Sequence, residues 1–241
     1  MNLAVIFAGG VGKRMNNNSR PKQFLELNGK PVIIYTLELF DSHPLVDGII
    51  VSCIEGWIPF LQRSVQQFGL TKVVSIVPGG ASGQESIYNG LCEAERHTAD
   101  SGDDNIVLIH DGVRPLINEQ TITDNIVKAH QSGSCITCVP ATETFVVSMP
   151  DGSHSIPARA DSLIARAPQT FRLNDIISAH RKAVSEGRKD FIDSCTMMHH
   201  YGYGLTMTLG PSENIKITTP SDFFVFRAMI EARENQRIFG I

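Results

Sequence analysis

Cations and an aspartate set beside glycine-rich turns are the residues of this chain best suited to chemistry on phosphate. The first group is Leu3-Ala-Val-Ile-Phe-Ala-Gly-Gly-Val-Gly-Lys-Arg-Met15, followed by Arg20-Pro-Lys-Gln23. Glycine lets a backbone turn tightly and approach a ligand closely, so that its N–H groups can face a phosphate. Lys13, Arg14 and Lys22 put mobile cations beside that turn, and Pro21 stiffens the loop that aims Lys22. Phosphorus centres gain charge in their transition states, and fixed cations are a protein's main tool there. The arrangement suits a nucleoside triphosphate; the plain alternative is a tight turn with solvated charges.

Two common glycine motifs are excluded. A Walker loop would need glycine at Phe7 and serine or threonine at Arg14. The dinucleotide fingerprint begins at Gly10-Val11-Gly12 and fails at Met15, where its third glycine belongs. The loop also runs on through Asn16 to Pro21 before helical periodicity begins, whereas a dinucleotide turn enters its helix at once.

Further along, Asn105-Ile-Val-Leu-Ile-His-Asp-Gly-Val-Arg-Pro115 delivers a carboxylate at the end of an apolar run. Beside triphosphate-binding glycines, Asp111 either holds Mg²⁺, whose hard oxygen chemistry suits carboxylate plus phosphate, or caps the Gly112 turn. Arg114 reads as an ion-pair partner that orients Asp111, and His110 as packed or hydrogen-bonded in its strand. Ser86 either caps a helix, hydrogen-bonds a base or merely starts a helix. Lys216, between Ile215 and Ile217 in Asn214–Thr218, reads as a strand residue pointing away from the core face, with a solvated lysine as the alternative. Arg159 and Arg166 have no local reading beyond surface charge.

These residues need a scaffold that gathers them. Apolar runs over 3–7, 46–54, 72–77, 105–111 and 135–139 read as strands, and amphipathic segments over 31–40, 57–68, 84–97 and 119–131 as the helices between them. Helices follow over 173–185 and near 194–201, strands over 205–209 and 214–218, and a last helix capped by Thr219-Pro220 that packs through Phe223, Phe226 and Ile230. Alternation of this kind predicts an α/β fold: a mostly parallel twisted sheet with helices on both faces. Ligands in such sheets bind beyond the carboxyl ends of the strands, where Ala8–Gly10, Gly79-Gly80 and Asp111 all fall. The pattern breaks over 142–160, where Thr144–Met149, a Pro150-Asp-Gly-Ser153 turn and a returning strand from Ser155 form a hairpin with little core of its own. Such a hairpin is expected to pack on a partner subunit, a surface loop being the alternative. The expected organisation is one domain, 1–241, plus an arm.

Composition sets outer limits. With 42% hydrophobic and 19% charged residues the 241-residue chain is ordinary for a globular protein, and its formal net charge of −4 gives no reason to expect nucleic acid. No apolar run approaches the roughly 20 residues of a membrane span. The start shows no signal-peptide pattern, and five cysteines scattered through apolar segments suggest reduced thiols; a cytoplasmic location is the expectation. The Cys135–Cys138 pair reads as strand packing rather than a redox or zinc site.

Taken in order, Ala8–Met15, Pro21–Gln23, Gly79-Gly80 with Ser86, His110–Pro115, Pro168-Gln169 and Asn214–Lys216 resemble the motifs of the CTP-dependent polyol-phosphate cytidylyltransferases, over nearly the whole chain. That family includes the 2-C-methyl-D-erythritol 4-phosphate and ribitol-5-phosphate enzymes. The resemblance implies a Rossmann-like nucleotidyltransferase fold, a homodimer joined by the β-arm, and Mg²⁺-dependent formation of a CDP-polyol and pyrophosphate. By position, Arg14 and Lys22 would stabilise charge on the triphosphate. Phe7, Ala8, Gly9, Gly10, Gly80, Ala81, Ser86 and Gly112 would line the nucleotide with Asp111, which would also bind the metal. Arg159, reaching in from the partner's arm, and Lys216 would hold the polyol phosphate.

The chain departs from the methylerythritol branch in two places. That branch typically carries a threonine just before the Pro-Gln pair and another just before the aspartate matching Asp193, where this chain has Ala167 and Ile192. Asp-Ala-Ala-Arg-Pro is also commoner there than the Asp111-Gly-Val-Arg-Pro115 of this chain. D-Ribitol 5-phosphate, as used in surface-polymer synthesis, is therefore the expected acceptor, with 2-C-methyl-D-erythritol 4-phosphate of isoprenoid synthesis as the alternative. Two other classes are weighed. A nicotinamide-dependent oxidoreductase would use Glu55 as a ribose ligand but conflicts with Met15 and the long basic loop. A silent nucleotide-binding module would lack the cations or Asp111, all of which are present.

Overall fold

The structure is a computed structural model that describes residues 1–10, 20–102 and 104–240. A seven-stranded sheet is built from β1 (Asn2–Ala8), β4 (Gly48–Cys53), β5 (Val73–Pro78), β6 (Ile106–Asp111), β7 (Ser134–Pro140), β10 (Leu163–Arg172) and β11 (Met207–Leu209). Its order is β11-β7-β10-β6-β1-β4-β5. β1 pairs in parallel with both β4 and β6, and β5 and β11 are parallel to their neighbours; only β10 runs antiparallel, between β6 and β7. The sheet is thus mixed but mostly parallel.

Crossover helices cover both faces, which is why β4 and β6 are buried along their whole length and read as unbroken apolar runs. Successive β1 residues alternate between two cores. Ala4 and Ile6 join Ile33, Leu37 and Phe40 of α1 (Val32–Asp41), Leu61 of α2 (Ile58–Gln67) and Ile122 of α4 (Glu119–Ser132). Leu3 and Val5 join Ile87 and Leu91 of α3 (Gly83–His97), Ile176 of α5 (Leu173–Ser185) and Met197 of α6 (Ser194–His200). The last helix, α7 (Pro220–Phe239), is started by a reciprocal cap between Thr219 and Asp222 and buries Phe226 and Ile230 against Leu27, Val32 and Val113.

One expectation needs correction, and one segment gains an assignment. Residues 214–218 are extended but form no strand: Ile217 N–H donates to the Val113 carbonyl, and no ladder builds on that bond. Pro168–Phe171, unassigned from sequence, lies inside the ten-residue β10. The proline is accommodated because the pairing with β7 shifts register between Ala165 and Gln169, sparing the ladder a donor it does not have.

The hairpin is present in miniature. β8 (Val147–Ser148) pairs antiparallel with β9 (His154–Ser155), and every residue from 142 to 161 is exposed, including Phe145, Val146, Met149 and Ile156. Two further short strands, β2 (Glu26–Leu27) and β3 (Lys30–Pro31), form a hairpin ahead of α1. Among the described residues no helix is long and apolar enough to cross a membrane.

Candidate active site

β6 and β1 are neighbours in the sheet and β5 lies beyond β4; the chain leaving the ends of β1, β5 and β6 lines a cleft of about 470 Å³. Its lining includes Phe7, Ala8, Gly9, Gly10, Lys22, Gly80, Ala81, Ser86, Asp111 and Lys216. One wall is nearly all backbone. A Cβ on Gly9 would run into Ser86 Oγ, and one on Gly79 would come within 3.0 Å of Gly9 Cα. The two glycine turns therefore approach each other as only glycines can. Ser86, buried, fastens them: its hydroxyl accepts from Gly80 N–H at 3.0 Å and donates to the Ser82 carbonyl at 2.8 Å. Ser82 itself caps α3 by accepting from Glu85 N–H, so the positive end of a four-turn helix opens onto the cleft at Gly83. On the opposite side Gln23, also buried, donates to the carbonyls of Ala8 (2.7 Å) and Gly10 (3.1 Å). With carbonyls tied back and a helix start presented, this end is shaped for an anionic nucleotide.

The other wall is made of side-chain charge. Asp111 Oδ2 accepts from Arg114 Nε at 2.7 Å, and Oδ1 pairs with Lys216 Nζ at 2.6 Å. Burial alone would raise the Asp111 carboxyl; the two cations outweigh it and hold the group down to about 2. Asp111 is therefore an ionised carboxylate at any physiological pH. Magnesium is commonly bound by one or two carboxylates plus substrate phosphates rather than by an all-protein cage. An ionised Asp111 lining the cleft fits that demand, although the described residues hold no cluster of three or more acidic, histidine or cysteine ligands.

A second cavity of about 250 Å³ adjoins the first and shares Phe7, Gly83, Asp111 and Lys216 with it. Arg114, Arg166, Gln169, Asp193 and Ser194 complete its polar lining, and Ala167 and Ile192 are both part of it. Arg114 Nη1 and Arg166 Nη1 donate to one carbonyl, that of Asn214, at 2.9 and 3.0 Å. Asn214 Nδ2 in turn donates to the Ala167 carbonyl at 2.6 Å, locking the 214–218 segment onto β10. Gln169 and Asp193 are joined at 3.3 Å, and Asp193 caps α6.

The structure thus brings together Phe7–Gly10, Lys22, Gly80, Ala81, Ser86, Asp111 and Lys216. Gly112 is not among the lining residues; it packs behind Ala8 and Ile33, and Thr36 donates to its carbonyl. Arg159 lies on the exposed arm, outside the lining of either cavity. Arg14 falls outside the described residues. His110 is buried, hydrogen-bonds the Arg114 carbonyl through Nε2 and has its pKa lowered by burial to about 4, so it supports the strand and is not a ligand in the cleft. Cys135 and Cys138 are free and buried in β7, as strand packing requires, and burial pushes the Cys135 thiol up to about 12. Sequence reasoning assigned no role to Gln23, Ser82 or Arg166. Gln23 had a signal in Pro21-Lys-Gln23; Ser82 could have been found as a helix cap.

A family described as 2-C-methyl-D-erythritol 4-phosphate cytidylyltransferase (IspD) matches residues 2–232. A protein of Vibrio parahaemolyticus named ribitol-5-phosphate cytidylyltransferase is 50% identical over 241 residues, covering all of both chains. One of the same name from Streptococcus agalactiae is 49% identical, again over the whole of both. A 2-C-methyl-D-erythritol 4-phosphate cytidylyltransferase of Clostridium botulinum is 35% identical over 95% of this chain and 97% of its own. The fold agrees with the crystal structure of 4-diphosphocytidyl-2C-methyl-D-erythritol synthase from Anaerococcus prevotii, with a TM-score of 0.80 at 22% identity over 95% of this chain and 96% of that one.

Proposed function

Since the chain belongs to this cytidylyltransferase family, we propose that it couples CTP to D-ribitol 5-phosphate, giving CDP-ribitol and pyrophosphate. The observation that carries the reading is the junction at Asp111, where a backbone-built nucleotide cleft meets a smaller cavity lined by cations. Two substrates placed in those cavities would meet beside Asp111 and Lys216.

In the reaction an oxygen of the acceptor's phosphate attacks the α-phosphorus of CTP. A new P–O bond forms there, the α–β bridge breaks, and pyrophosphate leaves with the bridging oxygen. Lys22, on the cleft wall, faces the charge that builds on the triphosphate, and Arg14 is assigned the same task from the family's pattern. Gly80 and Ala81, ordered by Ser86 and Glu85, shape the nucleotide end. Asp111 is the residue that would hold Mg²⁺, and bound Mg²⁺ would supply neutralisation of triphosphate charge. Lys216, fixed by Asp111, orients the acceptor phosphate. The choice of ribitol over methylerythritol rests on the more similar relatives and on Ala167 and Ile192, which put no side-chain hydroxyl into the acceptor cavity.

The arm supports a homodimer: it exposes Phe145, Val146, Met149 and Ile156 with no core of its own, and a second subunit would cover them and bring Arg159 of the partner subunit to the acceptor site. Five free cysteines, three of them buried, agree with a cytoplasmic enzyme, and CDP-ribitol would serve cell-surface polymer synthesis. Incubating the protein with CTP, Mg²⁺ and D-ribitol 5-phosphate should give equimolar pyrophosphate and CDP-ribitol, with free ribitol inert. A chain lacking 142–160 should sediment as a monomer and lose turnover; an active monomer would remove the arm from the account.

A further inference from the structure

The three cations of the acceptor cavity are not equivalent. Arg114 and Lys216 each bind an oxygen of Asp111. Arg166 has no carboxylate partner among the described residues, and its only hydrogen bond there goes from Nη1 to the Asn214 carbonyl. Its Nε–H is buried and without an acceptor. Asp193, the other carboxylate of the cavity, is already committed: Oδ1 accepts from Thr196 N–H, Thr196 Oγ1 and Cys195 Sγ, and Oδ2 from Gln169 Nε2. Burial and the neighbouring Arg114 charge both lower the Arg166 pKa. An unpaired N–H on a planar, permanently charged group is the donor geometry that a phosphate accepts.

We propose that Arg166 binds the phosphate of the acceptor, from the same chain that carries Asp111 and Lys216, and thereby sets the enzyme's demand for a phosphorylated polyol. The inference rests on the cytidylyltransferase reading of the cleft. The carbonyl of Asn214 holds the Arg166 fork in place while leaving Nε–H for the ligand. Asp111 pairs with both Arg114 and Lys216, so among the described residues Arg166 is the cation of this cavity that faces no carboxylate and is left for an incoming dianion. Ser194, whose buried hydroxyl also lacks a partner and which lines the same cavity, is placed to bond a ligand oxygen beside it.

The test is steady-state kinetics of pyrophosphate release on Arg166→Gln and Arg166→Lys in the full-length chain, with melting temperature measured in parallel. Arg166→Gln should raise the KM for D-ribitol 5-phosphate at least tenfold and leave the KM for CTP within twofold, and Arg166→Lys should recover part of the loss. Inorganic phosphate, a competitor of the acceptor in the native protein, should lose its effect in Arg166→Gln. If both KM values and the melting temperature shift together, Arg166 only props the Asn214 carbonyl and the inference is overturned. An unchanged acceptor KM in a folded variant also overturns it. If the native protein prefers a different polyol phosphate, the proposed acceptor falls while the same KM split is read with that substrate. A native protein that releases pyrophosphate with no polyol phosphate sinks both.

Discussion

The nucleotide end and the acceptor end of the cleft share Asp111 and Lys216 but are made in opposite ways. The nucleotide end is backbone: two glycine turns in near contact, a helix start, and Gln23 and Ser86 tying main-chain groups in place. The acceptor end is side chain: two carboxylates, three cations and a carbonyl that two arginines share. A backbone wall offers fixed N–H dipoles and close approach, which suits a triphosphate of constant shape. A side-chain wall can be retuned by single substitutions, which suits the half of the site where family members differ. The position of Ala167 and Ile192 in the acceptor cavity fits that division.

Substitutions at the two ends should therefore fail differently. The largest effect is expected at Lys22, which lines the cleft and in the proposed reaction would face the charge that develops on the triphosphate. Lys22→Ala should lower kcat by about 10²–10³-fold, on the order of 3–4 kcal/mol, with the fold retained. Near-normal kcat in a folded variant would strike Lys22 from the machinery.

A smaller effect is expected from Gly9→Ala, which drives a Cβ into Ser86 Oγ and breaks the hydroxyl's hold on Gly80. Overpacking of this kind costs roughly 1–3 kcal/mol, and it should appear as a CTP KM about tenfold higher with the acceptor KM unchanged. Adding Ser86→Ala removes the clashing oxygen and leaves the nearest contact at the Ser86 Cβ, 3.3 Å away. The double variant should melt at a higher temperature than Gly9→Ala alone, because the clash is gone, while its CTP KM stays high, because Gly80 still lacks the hydroxyl. An acceptor KM that rose with the CTP KM would erase the distinction between the two ends.

The same division governs how far the site could be read from sequence. Each glycine turn is local in the chain and directly follows an apolar strand whose end could be placed closely, so the meeting of Gly9-Gly10 and Gly79-Gly80 at one cleft was legible although about 70 residues separate them. The helix over 173–185 was also bounded correctly, because its apolar stripe and flanking polar residues are local. Arg166 was not legible: its partner Asn214 lies 48 residues on, and the same carbonyl is 100 residues from Arg114. Local alternation made 214–218 look like a strand, but the Asn214 carbonyl is taken by two arginines and no ladder forms. β10 was hidden by Pro168, a residue that argues against a central strand until the register shift beside it is seen.

The acceptor carries the central claim, and one competition decides it: specificity constants for D-ribitol 5-phosphate and 2-C-methyl-D-erythritol 4-phosphate, measured side by side with saturating CTP. A hydroxyl left without its hydrogen bond costs roughly 1–3 kcal/mol, or one to two decades of selectivity. A side chain at 167 and at 192 that offers no hydroxyl should therefore leave ribitol 5-phosphate preferred by at least about tenfold, on the order of 1.4 kcal/mol. A tenfold preference for the methylerythritol substrate would contradict the account and show that Ala167 and Ile192 do not set the acceptor.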